Sequence, residues 1–488
     1  MKDGVNTEKY MLQFEWLCMY YFYRCKMYTS NLTNLILNTD SYKASHWLQY
    51  PPDSEYVSFY IEARKSEFDV VFFGLQAFLK EYLTKPITLQ DINEAENLLI
   101  AHGLPFNRQG WLAILEKYKG YLPLRIQAVA EGLVLPAGNV VCQVVNTDPE
   151  FFWLPSYLET ALLRGIYYPA TVASLSYYCK QILKRALERS ADDLSGLPFK
   201  LHDFGARGAS SLESVALGSL AHLVNFCGTD SLSGIIGAAR WYEVENMPAF
   251  SIPAAEHSTI TSWGKEHEIA AYENIFQQFA GKYPAFAIVS DSYDLWQVVN
   301  EVWGERFKQQ ISQMSGTLII RPDSGEPGTV ICRVLDILAE KFGTRINSKG
   351  YKVLPDCIRV IQGDGINYTS LTHILDAVMA HGFSVDNVNF GMGGGLLQQV
   401  NRDMMGWAMK ASAVSVAGKW RDVYKDPVTG AEKRSKKGRL ALVRRNGEYL
   451  TLREEEVDKQ ENLLRTVYLN GKLLHIETLE QIRRRTNG

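Results

Sequence analysis

Seven short apolar runs in this chain end in residues that bind or transfer charged groups. FKLHDFGARG carries His202, Asp203, Phe204 and Arg207 at its end, and AHLVNFCGTD ends at Gly228-Thr229-Asp230. SIPAAEHST, third in the series, carries His257. FAIVSDSYD brings Ser290, Asp291 and Asp294, and TLIIRPDSGEPG brings Arg321, Asp323 and Ser324. CIRVIQGDG ends at Gly363-Asp364-Gly365, and VNFGMGGGLL at Gly391 to Gly395.

Each residue type suits one kind of chemistry. Glycines in GMGGG leave backbone N–H groups open to an oxyanion, and a helix start adds positive potential there. The pattern is neither a phosphate loop closing on G-K-[ST] nor the G-x-G-x-x-G of a first dinucleotide-binding turn. A tight turn under a packed helix would use the same glycines. Arg207, Arg321 and Arg402 flank such loops. Together they would hold a pyrophosphate by charge-assisted bonds; singly, each also reads as a solvated arginine. Asp323 and Asp364 suit ribose hydroxyls or magnesium-bound water, and fit equally as turn residues. Phe204 offers a flat face to an aromatic ring, or a core side chain. His257 follows the small residues Pro253-Ala254-Ala255, ahead of a helix expected over 260–271 with Ser258 or Thr259 as cap. Alone it is a candidate acid, base or nucleophile, or a loop histidine satisfied by local hydrogen bonds.

Strand, polar loop and helix repeated in this way build a mainly parallel sheet. Polar residues at the carboxyl ends of successive strands point to a β/α barrel, with its active site at that face and its phosphate site on late loops. The expected fold is α/β: an irregular barrel over 161–404, and a mainly β domain formed from 27–160 plus 405–488. Tyr56 to Glu62 is rich in strand formers, residues 124–150 alternate apolar and polar, and Trp407 to Val416 is strand-like. Hairpin turns are expected at Thr429-Gly430 and Asn446-Gly447. Helices are expected over 75–83, 89–101, 153–164, 174–189 and 396–404, and a strand-like run begins at Asn34. Residues 1–26 read as an extension outside the main fold.

The 488 residues suffice for two or three domains. A net charge of −3 gives the whole molecule no electrostatic reason to seek nucleic acid or an anionic membrane. Seven scattered cysteines without C-x-x-C read as reduced thiols, which places the chain in the cytoplasm. His257 and His267 do not stand at a metal-ligand spacing. The apolar run WLCMYYFY is too short to span a bilayer. The basic run from Lys433 to Arg439 suits a solvated hairpin rim or a phosphate-facing patch.

TDSYKASH, KLHDFGARG, HLVNFCGTD, SIPAAEHSTIT, SDSYD, LIIRPDSG, VIQGDG, FGMGGGLLQ and KDPVTGAEKRSKKGRL together resemble the nicotinate/nicotinamide phosphoribosyltransferase family, on its nicotinamide-using branch. The resemblance covers about residues 31–488. It implies a type II phosphoribosyltransferase fold, an irregular barrel beside a mainly β domain made from both termini. It also implies a homodimer with interface active sites. The implied reaction joins nicotinamide to phosphoribosyl pyrophosphate, giving nicotinamide mononucleotide and pyrophosphate, with Mg2+. ATP is the implied co-substrate, hydrolysed through a phosphohistidine. The runner-up is nicotinate phosphoribosyltransferase; a reading from another class is a non-catalytic nucleotide-binding dimer.

By this resemblance Tyr42 reaches the partner's site and stacks on nicotinamide opposite Phe204, while Asp230 accepts from the carboxamide. Arg207, His257 and Arg321 line the pyrophosphate site. Arg321 to Asp323 with Gly363 and Asp364 hold the ribose end, and Gly393, Gly394 and Arg402 the 5′-phosphate end. Arg64, Lys410, Lys425 and Lys433 are further basic contacts. His257 carries the phosphoryl group, oriented by Asp291. Ala206 stands where animal members often carry tyrosine, which alters the pocket wall. The loop between Arg64 and Phe72 is short, as in a bacterial-type member.

Overall fold

The computed structural model describes residues 32–429 and 434–488. The expected extension over 1–26, Lys433 and the Gly430 half of one expected turn lie outside the described residues.

Strands Leu201–Asp203, Gly228–Thr229, Ala285–Val289, Thr317–Arg321, Ile358–Gln362 and Val388–Met392 form one parallel sheet. Buried apolar residues such as Ile288, Ile320, Val360 and Phe390 fix these runs as strands covered on both faces. The sheet's two edges, Gly228–Thr229 and Ala285–Val289, are not left open. The segment 250–255 runs between them. Phe250 N–H donates to Cys227 O at 2.8 Å and Thr229 N–H to Phe250 O at 3.2 Å. On the other side Ala255 N–H donates to Ala287 O and Ala287 N–H to Pro253 O, both at 2.9 Å. Pro253 has no N–H to add to the ladder, so this wall position stays an irregular strand. The ring therefore has seven positions in chain order, and SIPAAEHST fills the third.

A second layer is an antiparallel sheet built from both ends of the chain. Trp407–Val416 pairs with Ser54–Ala63, followed by the central Val140–Asn146 and then Leu124–Ala128 and Arg465–Leu469. Beside it, Leu440–Arg445 and Glu448–Arg453 form a hairpin through Asn446 and Gly447, both at positive φ (53° and 86°). That is the two-residue turn whose twist matches paired strands. Among the described residues no helix is long and apolar enough to cross a membrane, and five cysteines are free thiols.

Three local expectations change. Residues 153–164 and 174–189 do not form separate helices: Glu159–Ser190 is one 32-residue helix with Pro169 inside it. Pro169 packs where a Cβ on Gly74 would stand, so tertiary packing holds the helix through the residue that normally breaks it. The helix carries Leu162 and Ile166 into the core under the antiparallel sheet, and Leu175 and Leu183 into the barrel's core. The strand-like run at Asn34 is a turn, because Asn34 Oδ1 accepts the Ile36 N–H at 3.0 Å. The helix expected over 396–404 is only Gly394–Leu397.

Candidate active site

Phe204 leaves the first barrel strand with its N–H on Met392 O at 3.0 Å. Its ring lies in a slot between glycine-bearing strand ends. A methyl on Gly391 would overlap the ring, and one on Gly363 would come to 3.4 Å from it. The Arg321 guanidinium stands 5.9 Å from the ring centroid, a cation–π distance. The preceding residue, Asp203, is fully buried and accepts from Gly205 N–H at 2.8 Å and the Thr229 hydroxyl at 2.9 Å. Its backbone carbonyl takes the Asp230 N–H at 3.0 Å. Asp203 thus fixes Phe204 and Asp230 relative to one another. Ser251 donates to Asp230 Oδ1 at 2.5 Å and leaves the other carboxylate oxygen open.

His257 is the first residue of a short helix, His257–Thr261. The expected single helix over 260–271 is divided by Gly264 at φ 85°, and the next helix is Glu268–Phe279. Glu256, not Ser258 or Thr259, stands at the N-cap position. The His257 ring is half exposed, and Nε2 lies 2.9 Å from Asp291 Oδ1. Asp291 Oδ2 accepts from Ser324 Oγ at 2.5 Å and Asp323 N–H at 3.0 Å. Burial, the largest influence, pushes the Asp291 carboxyl up. The bonds from Ser324, His257 and Asp323 together outweigh it and hold the carboxyl below the usual range. Asp323 Oδ1 in turn accepts from Arg321 Nε at 3.1 Å and Nη2 at 2.8 Å. One chain of contacts therefore joins His257, Asp291, Asp323, Arg321 and Phe204.

Arg207 lies on the turn Ala206–Gly208, exposed and without an ion-pair partner among the described residues. That turn abuts the glycine loop: a methyl on Gly208 would stand 3.5 Å from Gly394 Cα, and one on Gly205 3.0 Å from Gly393 O. At Gly394 such a methyl meets nothing within 4 Å, so the backbone there faces open space. Asp364 is exposed next to Gly363.

The structure thus brings Phe204, Arg207, Asp230, His257, Asp291, Arg321, Asp323, Gly363, Asp364, Gly393 and Gly394 to one face. Tyr42, Arg64, Lys410 and Lys425 stand on the antiparallel layer instead. Tyr42 is 56% exposed on the turn-like helix Ser41–Leu48, its ring meeting His46 at 5.1 Å. Its neighbour Lys43 is buried against Glu159 at 2.7 Å, and Lys410 reaches the same carboxylate at 3.4 Å. Arg402 pairs with Asp403 at 3.0 Å, on a turn whose Gly406 carbonyl accepts the Arg64 N–H at 3.3 Å. Lys425 is exposed; its N–H donates to Ser435 Oγ at 2.8 Å and its carbonyl accepts the Ser435 N–H at 3.0 Å.

Residues 199–472 match the model of the nicotinate phosphoribosyltransferase family, and residues 34–126 match the nicotinamide phosphoribosyltransferase N-terminal domain. The chain belongs to the nicotinate phosphoribosyltransferase family. It is 52% identical over 460 residues to the nicotinamide phosphoribosyltransferase of Xanthomonas campestris pv. campestris, covering 93% of this chain and 98% of the relative. It is 32% identical to the same-named protein of Acinetobacter baylyi, covering 91% and 95%. Two solved structures share the fold. The nicotinate-nucleotide pyrophosphorylase of Pyrococcus furiosus aligns at a TM-score of 0.60 and 15% identity, over 95% of this chain and 97% of its own. Human nicotinic acid phosphoribosyltransferase aligns at 0.54 and 17%, over 92% of each.

The sequence placed Asp203, Ser324 and Gly391 at strand ends, Gly391 within the GMGGG cradle, but showed neither their bonding or packing parts nor that of Ser251. The available signal was adjacency: Asp203 precedes Phe204, and Ser324 follows Asp323. What singles them out is bonding across strands, which spacing along one strand does not carry.

Proposed function

We propose that this family member transfers the 5-phosphoribosyl group from phosphoribosyl pyrophosphate to nicotinamide, giving nicotinamide mononucleotide and pyrophosphate in NAD salvage. The observation that carries this reading is Asp230, tied to Phe204 through Asp203 with one carboxylate oxygen open. A carboxylate accepts from a carboxamide NH2 but meets like charge and an unpaired acceptor in nicotinate. Phe204 supports one face of the ring. Tyr42 of a second copy closes the other, since Tyr42 stands exposed and away from Phe204 of its own chain.

With the ring so placed, its nitrogen attacks C1 of the ribosyl group as the C–O bond to pyrophosphate breaks, the electron pair leaving with pyrophosphate. Arg207 and Arg321 face the departing charge. Each such donor contributes about 3–4 kcal/mol by analogy with oxyanion sites. Gly393, Gly394 and Arg402 hold the 5′-phosphate end; Gly363 and Asp364 hold the ribose end. Arg64, Lys410, Lys425 and Lys433 supply further positive charge, in part across the dimer interface. Among the described residues no three acidic, histidine or cysteine side chains converge as a metal cage. Asp323 and Asp364 would hold a magnesium ion through its bound water, and the ion would supply charge neutralisation for the leaving group.

The ATP half uses His257. Asp291 accepts a hydrogen bond from Nε2–H and so keeps that proton on Nε2, which leaves the Nδ1 lone pair to attack the γ-phosphorus of ATP while ADP departs with the electron pair of the broken bond. The phosphorylated ring adds negative charge beside the pyrophosphate site and tightens substrate binding; it takes no part in ribosyl transfer itself. A product assay with nicotinamide and nicotinate in parallel, with and without ATP, tests the whole reading. Turnover of nicotinate in preference to nicotinamide, or no turnover of either, would reject it.

A further inference from the structure

A cavity of about 620 Å³ opens between the C-terminal helix Leu479–Asn487, the strand Arg465–Leu469 and the segment 72–79. It lies apart from the strand-end face and shares none of its residues. The wall is apolar: Phe72, Leu75 and Leu79 are buried, and Val467, Leu473 and Ile476 continue the surface. Its volume falls in the range of about 300–1,000 Å³ that holds small molecules.

The charges around this wall do not balance. Arg465, His475 and Arg484 line the cavity, and none has an acidic partner among the described residues. Arg485 is engaged by Glu477 at 2.5 Å. The other acid, Glu131, is occupied from inside. It accepts from Gln76 N–H at 2.6 Å, Gly74 N–H at 3.2 Å and the Tyr242 hydroxyl at 2.7 Å. It therefore has no need of the rim cations. Two arginines over an apolar wall match an apolar body carrying one anionic group, because a guanidinium pairs with a carboxylate or phosphate by two bonds.

We infer that this cavity is a second binding site, for a small molecule with an apolar, ring-like body and a single carboxylate or phosphate. The body lies on Val467, Leu473 and Ile476, which are backed by the buried Phe72 and Leu79, and the anion meets Arg465 and Arg484.

The test is fluorescence titration of the full chain with 1-anilinonaphthalene-8-sulfonate, a flat apolar probe with one anionic group. Excess nicotinamide mononucleotide is present to fill the strand-end face. One saturable site per chain is expected. Arg465→Ala with Arg484→Ala weakens it by about tenfold or more, as expected for losing charge-assisted bonds. Val467→Trp, which fills the cavity, removes it. Should that variant not fold, the exposed arginine pair decides alone. Competition by phenyl phosphate or by 3-phenylpropionate tells which anion the site prefers. Loss of saturable binding when nicotinamide mononucleotide is added would overturn the inference. So would wild-type affinity in the arginine variant, or competition by neither compound.

Discussion

Asp291 binds His257 with one oxygen and is itself gripped by the other: Oδ1 stands 2.9 Å from Nε2, while Oδ2 takes the Ser324 hydroxyl and the Asp323 N–H. An ionised Asp291 fixes the proton on Nε2. An amide in its place presents either an N–H that cannot accept that proton or an oxygen that has lost its charge. Asp291→Asn is therefore expected to slow formation of acid-labile, base-stable phosphohistidine from labelled ATP by about a hundredfold. Ribosyl transfer measured without ATP should change much less. Full ATP coupling in a His257→Ala variant would remove the basis of this prediction.

A methyl added at Gly391 would overlap the Phe204 ring. Gly391→Ala should push the ring out of its slot at a stability cost of about 1–3 kcal/mol. The expected kinetic sign is a raised KM for nicotinamide with the KM for phosphoribosyl pyrophosphate nearly unchanged. Equal increases in both would mean that the strand end as a whole had shifted.

In the proposed reading, Asp230 offers the base an acceptor with negative charge. Asp230→Ser removes that charge and supplies a donor, so nicotinate use should rise relative to nicotinamide by about tenfold or more. Steady-state assays with the two bases decide it, and an unchanged ratio counts against the role of Asp230.

Glu131 carries a pH prediction. Burial chiefly, with a contribution from Glu477, pushes its carboxyl from 4.5 up to about 7, despite bonds from Gln76, Tyr242 and Gly74. The folded chain thus holds this proton more tightly than the unfolded chain. The stabilisation is complete below pH 4.5 and is lost as pH rises through about 7. At full extent it amounts to about 3 kcal/mol. Denaturant unfolding at about pH 5 and about pH 8 should show wild type losing stability relative to Glu131→Gln. A difference that does not change with pH would refute it.

Much of this was legible from residue order, for a physical reason. A parallel barrel puts every strand's carboxyl end on one face, so Arg321, Asp323, Gly363 and Gly393 meet without being near in sequence. Asn446-Gly447 was legible because only a few residue pairs accept two positive φ values. The long helix through Pro169 was not, since its continuity rests on a fit against Gly74 far along the chain. Asn34 misled similarly: a side-chain bond to the Ile36 N–H replaced the strand that its apolar neighbours suggest. The hub at Asp203 was hidden because its partners Thr229 and Asp230 lie on the next strand end.

The wall segment 250–255 has one more consequence. It is held by two backbone bonds to each neighbour, fewer than a regular strand would make, and it leads directly into His257. The barrel's irregular seam and the mounting of the His257 ring are the same few residues. Local opening there, which costs less than global unfolding, would carry His257 away from Asp291 while the other six strands stayed closed. Amide protons of Ala255 and Ala287 should then exchange together, ahead of the rest of the ring, and phosphoribosyl pyrophosphate bound as proposed should slow both.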